Sequence, residues 1–140
     1  MTVDYQIIKK RTHEILSIIK ELKDFSNISE DEFYKNKERQ YAVMHLLQRA
    51  IEACISLNNH IIARRRLGTP ENYQDTFALL EKEGILTAEF TNEMRKMARF
   101  RNLLVHVYWE IDLDQIYEIL TTRLNDFKTY VSMIKKAFPD

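Results

Sequence analysis

The chain is 140 residues long, and its 21 lysines and arginines balance 21 aspartates and glutamates, so the formal net charge is zero. Proteins that coat long nucleic acid are usually more basic, so any polyanion site here must be a local patch. Two glycines and two prolines are too few to punctuate many strands, and the lone Cys54 excludes an intrachain disulfide and a cysteine-based metal cluster.

No apolar run near the start resembles a signal peptide, and no stretch of about 18 apolar residues is present to span a membrane. The expectation is one domain over residues 1–140, in a reducing cytoplasm and not in a membrane. The first helix is expected from about Val3 to Lys23, because Ile8, Ile15, Ile18, Ile19, Leu22 and Phe25 recur at helical spacings. Ser29-Glu30-Asp31-Glu32 is a capping-box pattern. It predicts a long second helix to about Ala63, roughly 34 residues and about 50 Å. Met44, Leu47, Ile51, Cys54, Ile55, Ile61 and Ile62 keep its period. Asn58 falls on that apolar stripe, whereas His45, Glu52 and Asn59 lie off it. Neither His45 nor His60 has a second ligand at a suitable spacing, so no metal is expected. Arg64-Arg65-Arg66 closes this helix, as favourable charge against its C-terminal dipole or as a secondary phosphate patch.

Gly68-Thr69-Pro70 is expected to end that rod and start a short helix, with proline near the first turn. Tyr73, Phe77 and Leu80 form its stripe, and Gly84 stops it. Thr87 is the next cap. The fourth helix, from about Ala88 to Leu104, carries Phe90, Met94, Met97 and Ala98 on its buried face. Arg101 continues that stripe, and a cation there needs a partner. Arg95, Lys96, Arg99 and Arg101 form the patch best suited to a phosphate backbone. Asp112 caps a last helix, in which Leu113, Ile116, Leu120, Leu124, Phe127, Val131, Ile134 and Phe138 step by threes and fours. The fold class predicted is all-α, an up-down bundle of about five helices.

Arg101 and His106 are five residues apart, so on a straight helix their side chains diverge by about 140°. For them to cooperate, His106 must lie at or beyond the helix end. The β-branched and aromatic run Val105-His106-Val107-Tyr108-Trp109 before Asp112 predicts a break there. A histidine exchanges a proton near neutral pH, and an arginine neutralises a phosphorane-like transition state. With the RNA 2′-hydroxyl as built-in nucleophile, this pair suffices in principle for metal-free strand cleavage. Asn102 is placed to orient the histidine or the phosphate, and Tyr108 displays a hydroxyl beside the same site. The plainer alternative is an arginine and histidine that cap a helix C-terminus.

Arg101-Asn102-Leu103-Leu104-Val105-His106-Val107-Tyr108 resembles the R-x4-H-x-Y signature of HepT-like toxins in the HEPN superfamily. The order of elements around it, from Leu46–Cys54 through Tyr73–Leu80 to Tyr108–Asp112, is similar to that family over nearly the whole chain. The resemblance implies a dimerising HEPN bundle in which Arg101 and His106 of both subunits line a shared cleft. It implies a metal-independent endoribonuclease toxin without cofactor, of a type VII-like toxin–antitoxin system, that cuts cellular RNA such as tRNA. It also implies a partner, a minimal nucleotidyltransferase antitoxin that transfers AMP to Tyr108. The alternative is a non-catalytic HEPN protein that presents nucleotide or substrate to a nucleotidyltransferase. In such proteins the R-x4-H pair tends to be degraded, whereas here it is intact.

Overall fold

A computed structural model describes residues 2–106 and 111–139. Among these residues the regular structure is entirely helical. Helix α1 spans Tyr5–Phe25, opened by the Asp4 carboxylate, which accepts from the Gln6 N–H. It lays Ile8, Ile15, Ile18, Ile19 and Leu22 against the core.

The long second helix of the sequence reading is two helices. Ser29 caps as expected, accepting from the Glu32 N–H, but α2 covers only Glu30–Lys35. Asn36 then takes an extended conformation, with φ −118° and ψ 93°. Its side chain accepts from the Arg39 N–H and restarts the chain as α3, Lys37–Arg65. The Gln40 amide donates to the carbonyls of Phe33 and Tyr34, which supplies acceptors orphaned where α2 ends. Fully buried Phe33 packs on the Tyr117 ring, and the Tyr117 hydroxyl donates to the Ile28 carbonyl at 2.8 Å. The separate α2 thus plugs one end of the bundle, and α3 shortens to about 43 Å.

Helix α3 is the central rod, buried on several sides against α1, α4 and α5. It ends at Arg66 in the left-handed conformation, φ 54°, where the Leu67 N–H returns to the Ile62 carbonyl in the manner of a Schellman cap. Helix α4 is Tyr73–Lys82, opened by Asn72 and not by Pro70, which lies in the preceding loop. The Asn72 carboxamide accepts from the Asp75 N–H at 2.9 Å. Gly84, at φ 78°, supplies the turn after it. Thr87 takes the Phe90 N–H at the start of α5, Ala88–His106.

The last helix of the sequence reading is also divided. Helix α6, Leu113–Glu118, is capped by Asp112. A π-helical turn over Ile119–Arg123 then leads into α7, Asn125–Ala137. Thr121 and Thr122 hydroxyls donate to the Tyr117 and Glu118 carbonyls at 2.8 and 2.7 Å, serving acceptors that the wider turn displaces. The extra residue brings both Ile119 and Leu120 into the core. Among the described residues the expected five helices are therefore seven plus one π turn.

One buried polar chain crosses the apolar interior. The Tyr130 hydroxyl lies 2.5 Å from Asn58 Oδ1 and 3.1 Å from the Cys54 carbonyl. Asn58 Nδ2 donates to Thr76 Oγ1, which donates to the Tyr73 carbonyl. This ties α7 to α3 and α4, and it explains a polar Asn58 on an apolar stripe. Burial pushes the Tyr130 phenol and the Cys54 thiol well up, so both stay protonated.

Candidate active site

Helix α5 sorts its polar residues by angle. Arg101 shares the inward side with Met94 and Ala98, as the spacing predicts, and its side chain is only 13% exposed. Residues 95, 99, 102 and 106 follow at intervals of four, three and four, so Arg95, Arg99, Asn102 and His106 fall on one stripe within about 60° of each other. Val105 and His106 are exposed at the helix end.

Arg101 has the partner its position demands. Its Nε stands 3.6 Å from Glu52 Oε1 on α3, and both atoms are buried without a hydrogen bond. Its guanidinium lies over the Tyr73 ring, 4.8 Å from the centroid, a cation–π stack. Its Nη1 donates to Asn102 Oδ1 at 3.4 Å. The arginine tip therefore reaches from the inward side of α5 towards the stripe that carries His106. Beside it opens a cleft of about 270 Å³ lined by Glu52, Ile55, Ser56, Asn59, Tyr73 and Arg101.

His106 is the last residue of α5. The helix is regular up to it, so its side chain points about 140° from that of Arg101. No hydrogen bond joins the two among the described residues. The structure thus brings together Arg101 and Asn102, and aligns His106 with Asn102, Arg95 and Arg99. Tyr108 lies outside the described residues.

Of the cations expected to meet phosphate, Lys96 stands apart. It lies about 80° around α5 from His106 and pairs with Glu93 at 3.2 Å, which also holds Arg123 at 3.3 Å. Arg99 is exposed. Among the described residues no group of three or more His, Cys, Asp or Glu converges on a metal-sized space. His60 is engaged elsewhere: its Nε2 accepts the Asp4 N–H at 3.0 Å. No helix of the described residues is long and apolar enough to cross a membrane.

Sequence reasoning did not identify Glu52 or Tyr73 as part of this site. The signal for Glu52 was its place, with Asn59, off the apolar stripe of a helix that is otherwise buried. In the sequence, Tyr73 shows only as part of the apolar stripe with Phe77 and Leu80.

An all-helical bundle of this order, with an Arg-x4-His pair closing its penultimate long helix, has the architecture of a HEPN domain. The chain belongs to the ribonuclease HepT-like family, whose sequence model matches residues 15–134. It is 35% identical over 104 residues to the mRNA nuclease HepT of Shewanella oneidensis, covering 74% of this chain and 78% of that protein. It is 33% identical over 128 residues to the tRNA nuclease HepT of Aphanizomenon flos-aquae, covering 91% and 87%. A crystal structure of a toxin–antitoxin with AMP-PNP superposes with a TM-score of 0.88 at 30% identity, over 94% of this chain and 98% of that one. The tri-AMPylated Shewanella oneidensis HEPN toxin, in complex with its MNT antitoxin, superposes at 0.87 with 32% identity, over 93% and 97%. The resemblance read from the octapeptide is therefore membership of a toxin family.

Proposed function

We propose that this protein is a metal-independent endoribonuclease toxin that cleaves cellular RNA, with Arg101 and His106 as its catalytic pair. The observation that carries the reading is the reach of Arg101: a nearly buried guanidinium whose Nη1 meets Asn102, on the stripe that ends in exposed His106. The 2′-oxygen of RNA attacks the adjacent phosphorus and the bond from phosphorus to the 5′-oxygen breaks. The products are a 2′,3′-cyclic phosphate and a 5′-hydroxyl. The proton leaves the 2′-hydroxyl to a base, and the departing 5′-oxygen takes one from an acid. Arg101 donates N–H groups to the phosphorane oxygens. Asn102 supports the arginine through its carboxamide oxygen.

The working unit is a homodimer. Two copies of α5 facing one cleft place two histidines there, one as base and one as acid, and double the local cationic field of a chain with zero net charge. The divergence of Arg101 and His106 on a single α5 supports this arrangement. Arg95 and Arg99 extend the His106 stripe over about 16 Å of helix and serve as phosphate contacts. Lys96 contributes less, because Glu93 holds it.

Control comes from a minimal nucleotidyltransferase antitoxin. The two superposed complexes support this reading, one with AMP-PNP and one tri-AMPylated with its MNT partner. The Tyr108 phenol oxygen attacks the α-phosphorus of ATP and releases pyrophosphate. The added AMP brings bulk and negative charge two residues from His106 and excludes RNA by sterics and repulsion. Both proteins and the substrate then meet in the cytoplasm, and tRNA is a substrate class that fits.

The test is cleavage of total cellular RNA by protein confirmed by intact mass to carry no AMP. Cleavage is expected to survive EDTA and to vanish in Arg101→Ala and His106→Ala with unchanged thermal melting. Wild-type protein that leaves RNA whole, or a His106→Ala variant that cuts normally, would refute the reading.

A further inference from the structure

We infer that Glu52 and Tyr73 are positioning residues for Arg101, fixing its guanidinium so that one edge remains to meet the scissile phosphate. This rests on the ribonuclease reading above. An arginine side chain is long, and ordering it costs rotamer freedom. An unsupported Arg101 would pay that cost at each encounter with substrate. Here it is ordered beforehand on three sides. Glu52 Oε1 faces Nε at 3.6 Å, the Tyr73 ring covers one face at 4.8 Å, and Asn102 takes Nη1 at 3.4 Å. Nη2 has no partner among the described residues, and the cleft opens beside the guanidinium.

Both supports stand on rigid ground. Glu52 belongs to the central rod α3, next to buried Ala53 and Cys54. Tyr73 is the first residue of α4, and its carbonyl accepts from Thr76 at 2.7 Å. Thr76 is held by Asn58, and Asn58 by Tyr130. The buried polar chain of the core thus terminates under the catalytic arginine. Support of this kind fixes a functional side chain more tightly than a loop does. The Tyr73 hydroxyl has no hydrogen bond among the described residues, so the ring face is what counts. At Glu52 the carboxylate charge beside Nε is what counts, because the 3.6 Å contact is an ion pair without a hydrogen bond.

Five variants test this: Glu52→Ala, Glu52→Gln, Tyr73→Ala, Tyr73→Leu and Tyr73→Phe, assayed on a single-stranded RNA oligonucleotide of mixed sequence. Glu52→Ala, Glu52→Gln, Tyr73→Ala and Tyr73→Leu are expected to lower kcat by about 10- to 100-fold with KM within about threefold. Glu52→Gln keeps the shape but removes the charge, so it falls with Glu52→Ala, whereas Tyr73→Phe keeps the ring and stays within about threefold of wild type in kcat. Tyr73→Leu keeps apolar bulk, so packing is preserved if the alanine variant unfolds. In the same proteins, the NMR signal of the Arg101 Nε–H, assigned by its loss in Arg101→Lys, should become mobile in the four disabling variants only. That signal does not depend on cleavage. If wild type cuts no RNA, the ribonuclease reading fails, and the signal still decides whether Glu52 and Tyr73 hold the arginine. An Arg101 signal equally rigid in all variants, or wild-type kcat in Glu52→Ala or Glu52→Gln, would overturn the inference.

Discussion

The Tyr130 hydroxyl donates to Asn58 Oδ1 at 2.5 Å, between a helix near the C-terminus and the middle of the central rod. Both residues are fully buried. In Tyr130→Phe the Asn58 oxygen loses its donor in a place closed to bulk solvent. The variant should lose about 1–3 kcal/mol of stability, read as a lower urea midpoint with an unchanged slope. An unchanged midpoint would mean that the hydroxyl contributes nothing net.

The proposed phosphate track along α5 separates cations that the sequence grouped together. Arg99 is exposed on the His106 stripe, whereas Lys96 is paired with Glu93. Arg99→Ala should weaken binding of single-stranded RNA and reduce the slope of log K against log salt by about 0.7, with kcat preserved. Lys96→Ala should change the slope less. Equal slopes for the two variants would remove Arg99 from the RNA path.

Acid should loosen the contact between the start of α1 and the end of α3. Neutral His60 accepts the Asp4 N–H. Burial, followed by the nearby Arg64 charge, holds its pKa below the ordinary 6.5, with Asp4 opposing. A histidine pKa depressed in the folded state means that the unfolded chain binds the proton more readily. The stability His60 contributes is therefore full above pH 6.5 and is lost as pH falls through its folded pKa. Urea midpoints measured from pH 7.5 down to 5 should fall more steeply for wild type than for His60→Gln. Parallel curves would show that the contact is not sensed by folding.

Helix starts were legible where a side chain announces them. Ser29, Thr87 and Asp112 cap as their spacing indicates. The break at Asn36 was not legible, because asparagine is tolerated within a helix and its capping role depends on where buried Phe33 is anchored. The π turn was hidden for a similar reason. Steps of three and four run unbroken through Leu120 and Leu124, and the extra residue shows only as the added burial of Ile119. At the site, the need of Arg101 for a partner followed from its place on an apolar stripe. The identity of that partner did not, since Glu52 and Tyr73 come from other helices and meet the arginine only through packing.

The most direct test of the Arg101–His106 chemistry is a comparison of two oligonucleotides of one sequence, all-ribose and all-2′-deoxy, incubated in EDTA with protein free of AMP. The account predicts that the ribose strand alone is cut, giving 2′,3′-cyclic phosphate and 5′-hydroxyl ends, and that His106→Ala leaves both whole. Cleavage of the deoxy strand at a similar rate would contradict it, because no 2′-oxygen is then available to attack.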